Sequence, residues 1–244
     1  MNRKRNCRDN YFFIIFLKEK KKKKKKKEMT SPIEEISKSI LTRKVKSLRA
    51  SILKFGTPIP PVGSEDYAGI SGTFSLKSKV DLLLLLTRYE KTMTGFIDLG
   101  SGTGEIVYTI ALQFSKIVTV GVEASKMICD HSASVSSYVC TKHQIENPER
   151  ISFVHQNILD MVQLDKNISC VFSFAVGMPL RVFEHIIELV KSSEFVKQFI
   201  IVYRNLKIGE LISYFDNRSF SSAVISKISM MGSGQKHQMF MVIF

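Results

Sequence analysis

The chain has 244 residues, with 36 Lys+Arg against 22 Asp+Glu (formal net charge +14), 44% hydrophobic residues, 4 Cys and no Trp. That length holds one α/β domain with a full core, or at most two small domains. The composition excludes disorder across the whole chain, a collagen-like repeat and a disulfide-dense secreted scaffold.

The charge is concentrated at the start. Residues 1–28 carry 13 of the basic and 3 of the acidic residues, which leaves positions 29–244 at only +4. The apolar run over 11–17 is far shorter than the roughly 20 residues a membrane-spanning helix needs. It runs into lysines instead of a small-residue cleavage site, so secretion is not expected. Eight adjacent lysines at 20–27 repel one another, which predicts a disordered tail over 1–28. Such a tail suits non-specific contact with nucleic-acid phosphate, anionic lipid or a nuclear import receptor, and equally fits a solvated tract with no partner. Met29 follows the lysines directly and is a second candidate start. Cys7, Cys129, Cys140 and Cys170 form no C-x-x-C pair and have no histidine at zinc-finger spacing. They read as reduced thiols of a nuclear or cytoplasmic protein, with no metal site.

Ser31-Pro32-Ile33-Glu34 forms a capping box with proline at the first helical position, so a helix is expected from here to Gly56. Ile33, Ile36, Ile40, Val45, Leu48, Ile52 and Phe55 form its apolar stripe; Lys38, Arg43, Lys44, Lys46 and Arg49 form its polar side. Residues 57–72, rich in proline and glycine, read as an irregular crossing segment. A second helix is expected over about 75–89. From Gly95 on, β-type runs at 95–99, 117–122, 151–155, 169–175 and 197–203 alternate with helix-like stretches at 105–114, 124–143, 179–192 and 206–214. That alternation predicts a parallel sheet covered on both faces by helices. Two apolar strands, 223–230 and 237–244, then form an antiparallel hairpin through Gly232-Ser233-Gly234.

Asp98-Leu99-Gly100-Ser101-Gly102-Thr103-Gly104-Glu105 sits where the first strand gives way to a helix. Glycines there permit a tight turn and let a ligand lie against the backbone, facing the free N–H groups of the helix. The third glycine comes one place too early for a dinucleotide fingerprint, and no Gly-Lys-Ser/Thr follows, which excludes a P-loop. Asp98, just before the turn, can accept from a ligand amino group or pair with its charge. Glu123 closes the second strand, where an acid accepts the two hydroxyls of a ribose. Together they describe a site for a nucleoside that carries a cationic amino acid.

This arrangement resembles the class I S-adenosylmethionine-dependent methyltransferases. The resemblance implies an α/β fold: a Rossmann-like seven-stranded, mostly parallel sheet with a C-terminal antiparallel hairpin, preceded by a short helical segment. It divides the chain into the tail (1–28), a helical segment with a cofactor-covering loop (29–90) and the methyltransferase domain (91–244). It implies S-adenosyl-L-methionine as cofactor, held by Asp98, Gly100, Ser101, Gly102, Thr103, Gly104 and Glu123, with Asn157 toward the adenine amino group. Within the superfamily the chain is similar to the disruptor-of-telomeric-silencing family, the histone-lysine methyltransferases without a SET domain. The segments that carry this are Asp98 to Gly104, Gly121-Val122-Glu123, Val171-Phe172-Ser173-Phe174-Ala175-Val176-Gly177 and, more faintly, Tyr67-Ala68-Gly69-Ile70-Ser71. Where that family has Asn-Asn, this chain has Phe172-Ser173.

The expected activity is methylation of a lysine amine on a histone or nucleosome. The amine, with a reference pKa of about 10.4, must first lose a proton, and an apolar channel favours its neutral form. Ser173, Phe174 and Tyr203, with Met178, are the channel candidates. Methylation of another protein or a small molecule, and a non-catalytic binding protein of the same fold, are the alternatives.

Overall fold

The computed structural model of the chain describes residues 14–15, 32–56, 74–204, 206–215, 219–230 and 236–244. The lysine tract, the crossing segment over 57–72 with Tyr67-Ala68-Gly69-Ile70-Ser71, and the Gly232-Ser233-Gly234 turn lie outside these residues.

Helix α1 runs over Pro32–Leu53, and Gly56, at φ +78°, follows its end in the left-handed conformation. Leu41, Val45, Leu48 and Ile52 are buried at helical spacing. Ile36 and Ile40, expected on this stripe, are 60% and 41% exposed, and Phe55 is also exposed. Leu41, one position beyond Ile40, continues the repeat in its place. Arg49 departs from the expected outer face and turns inward to the Glu105 carboxylate, 3.8 Å away. Helix α2, Leu76–Thr87, opens on Ser75, whose hydroxyl accepts from the Ser78 N–H.

Seven strands follow: β1 Gly95–Leu99, β2 Val118–Glu123, β3 Ile151–His155, β4 Cys170–Phe174, β5 Gln198–Val202, β6 Ser222–Ser229 and β7 Lys236–Ile243. Their order across the sheet is β3-β2-β1-β4-β5-β7-β6, and a two-residue strand, Ile14–Ile15, pairs in parallel beside β6. β1 to β5 are mutually parallel; β7 runs antiparallel to both β5 and β6, as the hairpin pattern predicts. Between them lie α3 Glu105–Gln113, α4 Lys126–Ser134, α5 Ser136–His143, α6 Leu180–Ser192 and α7 Ile208–Ser213.

Alternate side chains along each strand face opposite layers. Phe96, Phe172, Ile200 and Met241 pack with Leu41, Val45, Val80 and Ile110 from α1, α2 and α3. Ile97, Val171, Phe199 and Ile201 pack with Phe183 and Ile187 of α6 and Leu211 of α7. The N-terminal helices therefore share a core with the sheet.

The helical stretch expected over 124–143 divides at Val135 into α4 and α5. The Ser132 hydroxyl donates to the Ile128 carbonyl and the Ser134 hydroxyl to that of His131. Such bonds compete with the helix ladder and favour a bend.

β1 and β4 form the switch point of the sheet, because the connections leave β1 toward β2 on one side and leave β4 toward β5 on the other. The crevice beyond their carboxyl ends is where ligands of such sheets bind.

Candidate functional site

The glycine turn projects from the end of β1 into that crevice. Gly100, Gly102 and Gly104 take φ of +87°, +53° and +74°, conformations that disfavour any side chain. The N–H groups of Gly100 and Ser101 both donate to the Val122 carbonyl of β2, each at 2.9 Å. The Ser132 hydroxyl of α4 lies 3.0 Å from the Gly102 carbonyl as well as 2.9 Å from that of Ile128, and shares its one proton between them.

The three glycines have different neighbours. A Cβ on Gly104 would collide with the Phe153 ring, and one on Gly100 with the Met178 methyl. A Cβ on Gly102 would meet nothing within 4 Å. The backbone of Gly102 therefore borders open space, whereas Gly104 faces the Phe153 ring and Gly100 the end of the Met178 side chain. Gly121 of β2 admits the Ser101 side chain, whose oxygen lies 2.7 Å from where a Gly121 Cβ would stand.

Glu123 is buried at the end of β2. Its Oε2 accepts from the Gly102 N–H at 2.9 Å and its Oε1 from the Ser125 N–H at 3.0 Å. The carboxylate is thus fixed against the turn, and each oxygen retains acceptor capacity for a further donor.

Asp98 is buried to 2% exposure, and its Oδ1 has no hydrogen-bond partner among the described residues. Burial, with the Glu123 charge as the smaller contribution, holds its carboxyl well above the usual carboxylate range. A buried acid in this condition gains from a cationic partner. The Ser101 hydroxyl is likewise buried without a partner among the described residues.

The model for histone methylation protein DOT1 matches residues 85–195, from the end of α2 through β1 to β4 and α6. The chain has the class I S-adenosylmethionine-dependent methyltransferase fold. Solved structures share that fold. Magnesium protoporphyrin IX methyltransferase from Synechocystis PCC 6803, with S-adenosylmethionine bound, matches at TM-score 0.53 and 10% identity over 88% of this chain and 98% of its own. The human methyltransferase 10 domain containing protein matches at TM-score 0.55 and 11% identity over 83% and 97%. A predicted O-methyltransferase from Agrobacterium tumefaciens matches at 0.50 and 18% over 66% and 78%. No curated protein sequence matches.

The residues of the site fit S-adenosyl-L-methionine, the cofactor of proteins with this fold, on two structural grounds. The orphaned Asp98 oxygen suits the cationic amino group, and the open space over Gly102 admits a ligand against the turn. Thr103 is half-buried on the same turn. Asn157, expected near the adenine, is exposed, and its Oδ1 accepts from the Leu159 N–H at 3.0 Å; it caps a short 3-10 turn.

The acceptor candidates sit at the adjoining ends of β4 and β5, with Phe174 in the layer of α1 to α3 and Met178 and Tyr203 in that of α6 and α7. Ser173 is fully buried in β4, and its hydroxyl donates to the Leu99 carbonyl at 2.8 Å. Phe174 is half-buried, edge-on to Phe74 at 5.2 Å, and Tyr203, beyond β5, stacks on Phe183 at 4.3 Å. Sequence reasoning missed Ser132 and Lys79, and placed Arg49 outside. Only Lys79 left a signal, as a lysine on the apolar side of α2.

No described helix is long and apolar enough to cross a membrane.

Proposed function

We propose that this protein transfers the methyl group of S-adenosylmethionine to a lysine amine on a histone-type protein substrate, in the nucleus or cytoplasm. The observation that carries the reading is the match to histone methylation protein DOT1 over the residues that build the turn, the Glu123 site and the exit of β4.

When bound, the cofactor supplies a methyl group on a sulfonium, ready for in-line displacement. The chain's own tasks are to hold the donor, orient the amine and keep water out. In this reading Asp98 binds the cationic amino group, Glu123 the ribose hydroxyls, and the backbone of Gly100 to Gly104 the intervening part, with Asn157 at the adenine end. Phe174, Tyr203 and Met178 line the acceptor's approach. Their apolar surfaces favour the neutral amine that the reaction needs. Ser173 contributes indirectly, by joining the carboxyl ends of β1 and β4. The lysine tract at 20–27 would add sequence-independent contact with nucleic-acid phosphate.

A different acceptor, another protein or a small molecule, is the second reading. Phe172 and Ser173 favour it, because the positions that hold Asn-Asn in the similar family here carry a core phenylalanine and a hydroxyl already engaged by Leu99.

A tritiated-methyl assay on nucleosomes, free histones and a metabolite pool tests both. Label recovered as methyl-lysine from histones supports the first reading. Label in the metabolite pool alone overturns it in favour of the second.

A further inference from the structure

The best-buried cation of the described chain lies beside the glycine turn. Glu105 immediately follows Gly104 and opens α3, and its carboxylate meets the N-terminal helices. There it forms an ion pair with Lys79 of α2, whose side chain is fully buried, and the Arg49 Nε of α1 lies 3.8 Å from the same oxygen. Three helices thus meet through three charges at one point, one residue past the turn.

We infer that Glu105, Lys79 and Arg49 form an ionic clasp through which α1 and α2 hold the glycine turn in its cofactor-binding geometry, with Lys79 and Arg49 acting as positioning residues. The inference rests on the cofactor reading above. It adds that the N-terminal helices take part in cofactor binding without touching the cofactor.

Three physical points support it. Burying a lysine ammonium carries a large desolvation cost, and an apolar residue of similar volume would fill the space more cheaply. Packing alone therefore does not explain Lys79. Apolar contact between α2 and α3 tolerates sliding, whereas a buried ion pair fixes one atom against another. The fixed residue is also the first of the helix whose start is the turn, so a shift of Glu105 moves Gly104 directly. Finally, two cations surround one carboxylate, so Glu105 presents no net negative charge to the carboxylate of a bound amino acid.

The test uses the full chain and two variants, Lys79→Met and Lys79→Met/Glu105→Gln, with three measurements. These are the S-adenosylhomocysteine dissociation constant by calorimetry, the melting temperature, and hydrogen exchange of the 100–106 amides without ligand. Lys79→Met should lower the melting temperature and weaken binding about tenfold or more. The double variant, which leaves no carboxylate without its lysine, should regain most of the melting temperature yet still bind severalfold more weakly, with faster exchange across the turn. A double variant with wild-type affinity and wild-type exchange overturns the clasp, because the pair would then matter only for packing. A wild-type protein that binds neither S-adenosylmethionine nor S-adenosylhomocysteine overturns the cofactor reading instead. The exchange data then still judge whether the clasp orders the turn.

Discussion

Asp98 stands in register with Gly121 on the adjacent strand, two residues before Glu123, and the Glu123 charge adds to burial in raising the Asp98 pKa. Unfolded, the Asp98 carboxyl ionises near its ordinary value of 3.8; folded, it keeps its proton to higher pH. The stability it contributes is therefore full below the unfolded value and declines as pH rises toward the folded one. Asp98→Asn should raise the melting temperature at neutral pH and flatten its pH dependence, as calorimetric scans across pH would record. A cation bound at Asp98 favours the carboxylate, so S-adenosylhomocysteine binding should release protons. Titrations in two buffers of different ionisation enthalpy, repeated across the pH range, measure this, and equal heats at every pH would exclude a charged ligand group at Asp98.

The unequal surroundings of the glycines predict a separation of binding from folding. Gly102→Ala places a methyl in open space at positive φ, at a cost of about 1 kcal/mol to stability. It should weaken S-adenosylhomocysteine binding roughly a hundredfold, equivalent to about 2.7 kcal/mol. Gly104→Ala drives its methyl into the Phe153 ring and should cost roughly 2–4 kcal/mol of stability. Denaturant melts and titrations on the two variants check the contrast; equal loss of stability in both would contradict it.

Much of this site was readable because strands and turns leave local marks. The runs 95–99 and 151–155 coincide with β1 and β3, and a carboxylate at a strand's carboxyl end is placed there by the strand itself. What a side chain meets across the core has no such mark. Helical spacing separates the two sides of α1 but does not reveal that Arg49, at its border, reaches Glu105 fifty-six residues later. In the same way, Ser173 reads as a polar group near a substrate until the Leu99 carbonyl is seen above it.

Glu123 should matter to the adenosine half of the ligand. Glu123→Gln keeps one acceptor oxygen but sets an amide N–H₂ against either the Gly102 or the Ser125 N–H. The expected stability loss is about 1–3 kcal/mol. Binding of 5′-methylthioadenosine, which has the ribose but no amino acid, should fall by the same factor as that of S-adenosylhomocysteine. Unequal factors in parallel titrations would show that Glu123 acts elsewhere.

Phe172 and Ser173 should part on mutation. Phe172 is fully buried between Phe74 and Phe96, with ring centroids at 5.6 and 6.1 Å, so Phe172→Ala should cost about 3–5 kcal/mol. Ser173→Ala loses one hydrogen bond, about 1 kcal/mol, and should leave kcat nearly unchanged. A large fall in kcat at unchanged stability would instead bring Ser173 into the chemistry.

The place of β7 constrains the route by which the sheet can assemble. β7 lies between β5 and β6, yet follows both in sequence, so β6 is not joined to β5 and the parallel strands until β7 enters. Until then β5 ends the sheet as an unpaired edge bearing Phe199, Ile200 and Ile201, a template for another chain. The interval between synthesis of β5 and insertion of β7 is therefore when this protein is most exposed to aggregation. A substitution that delays β7, such as Phe240→Ala, should lower soluble yield more than its effect on the finished fold accounts for.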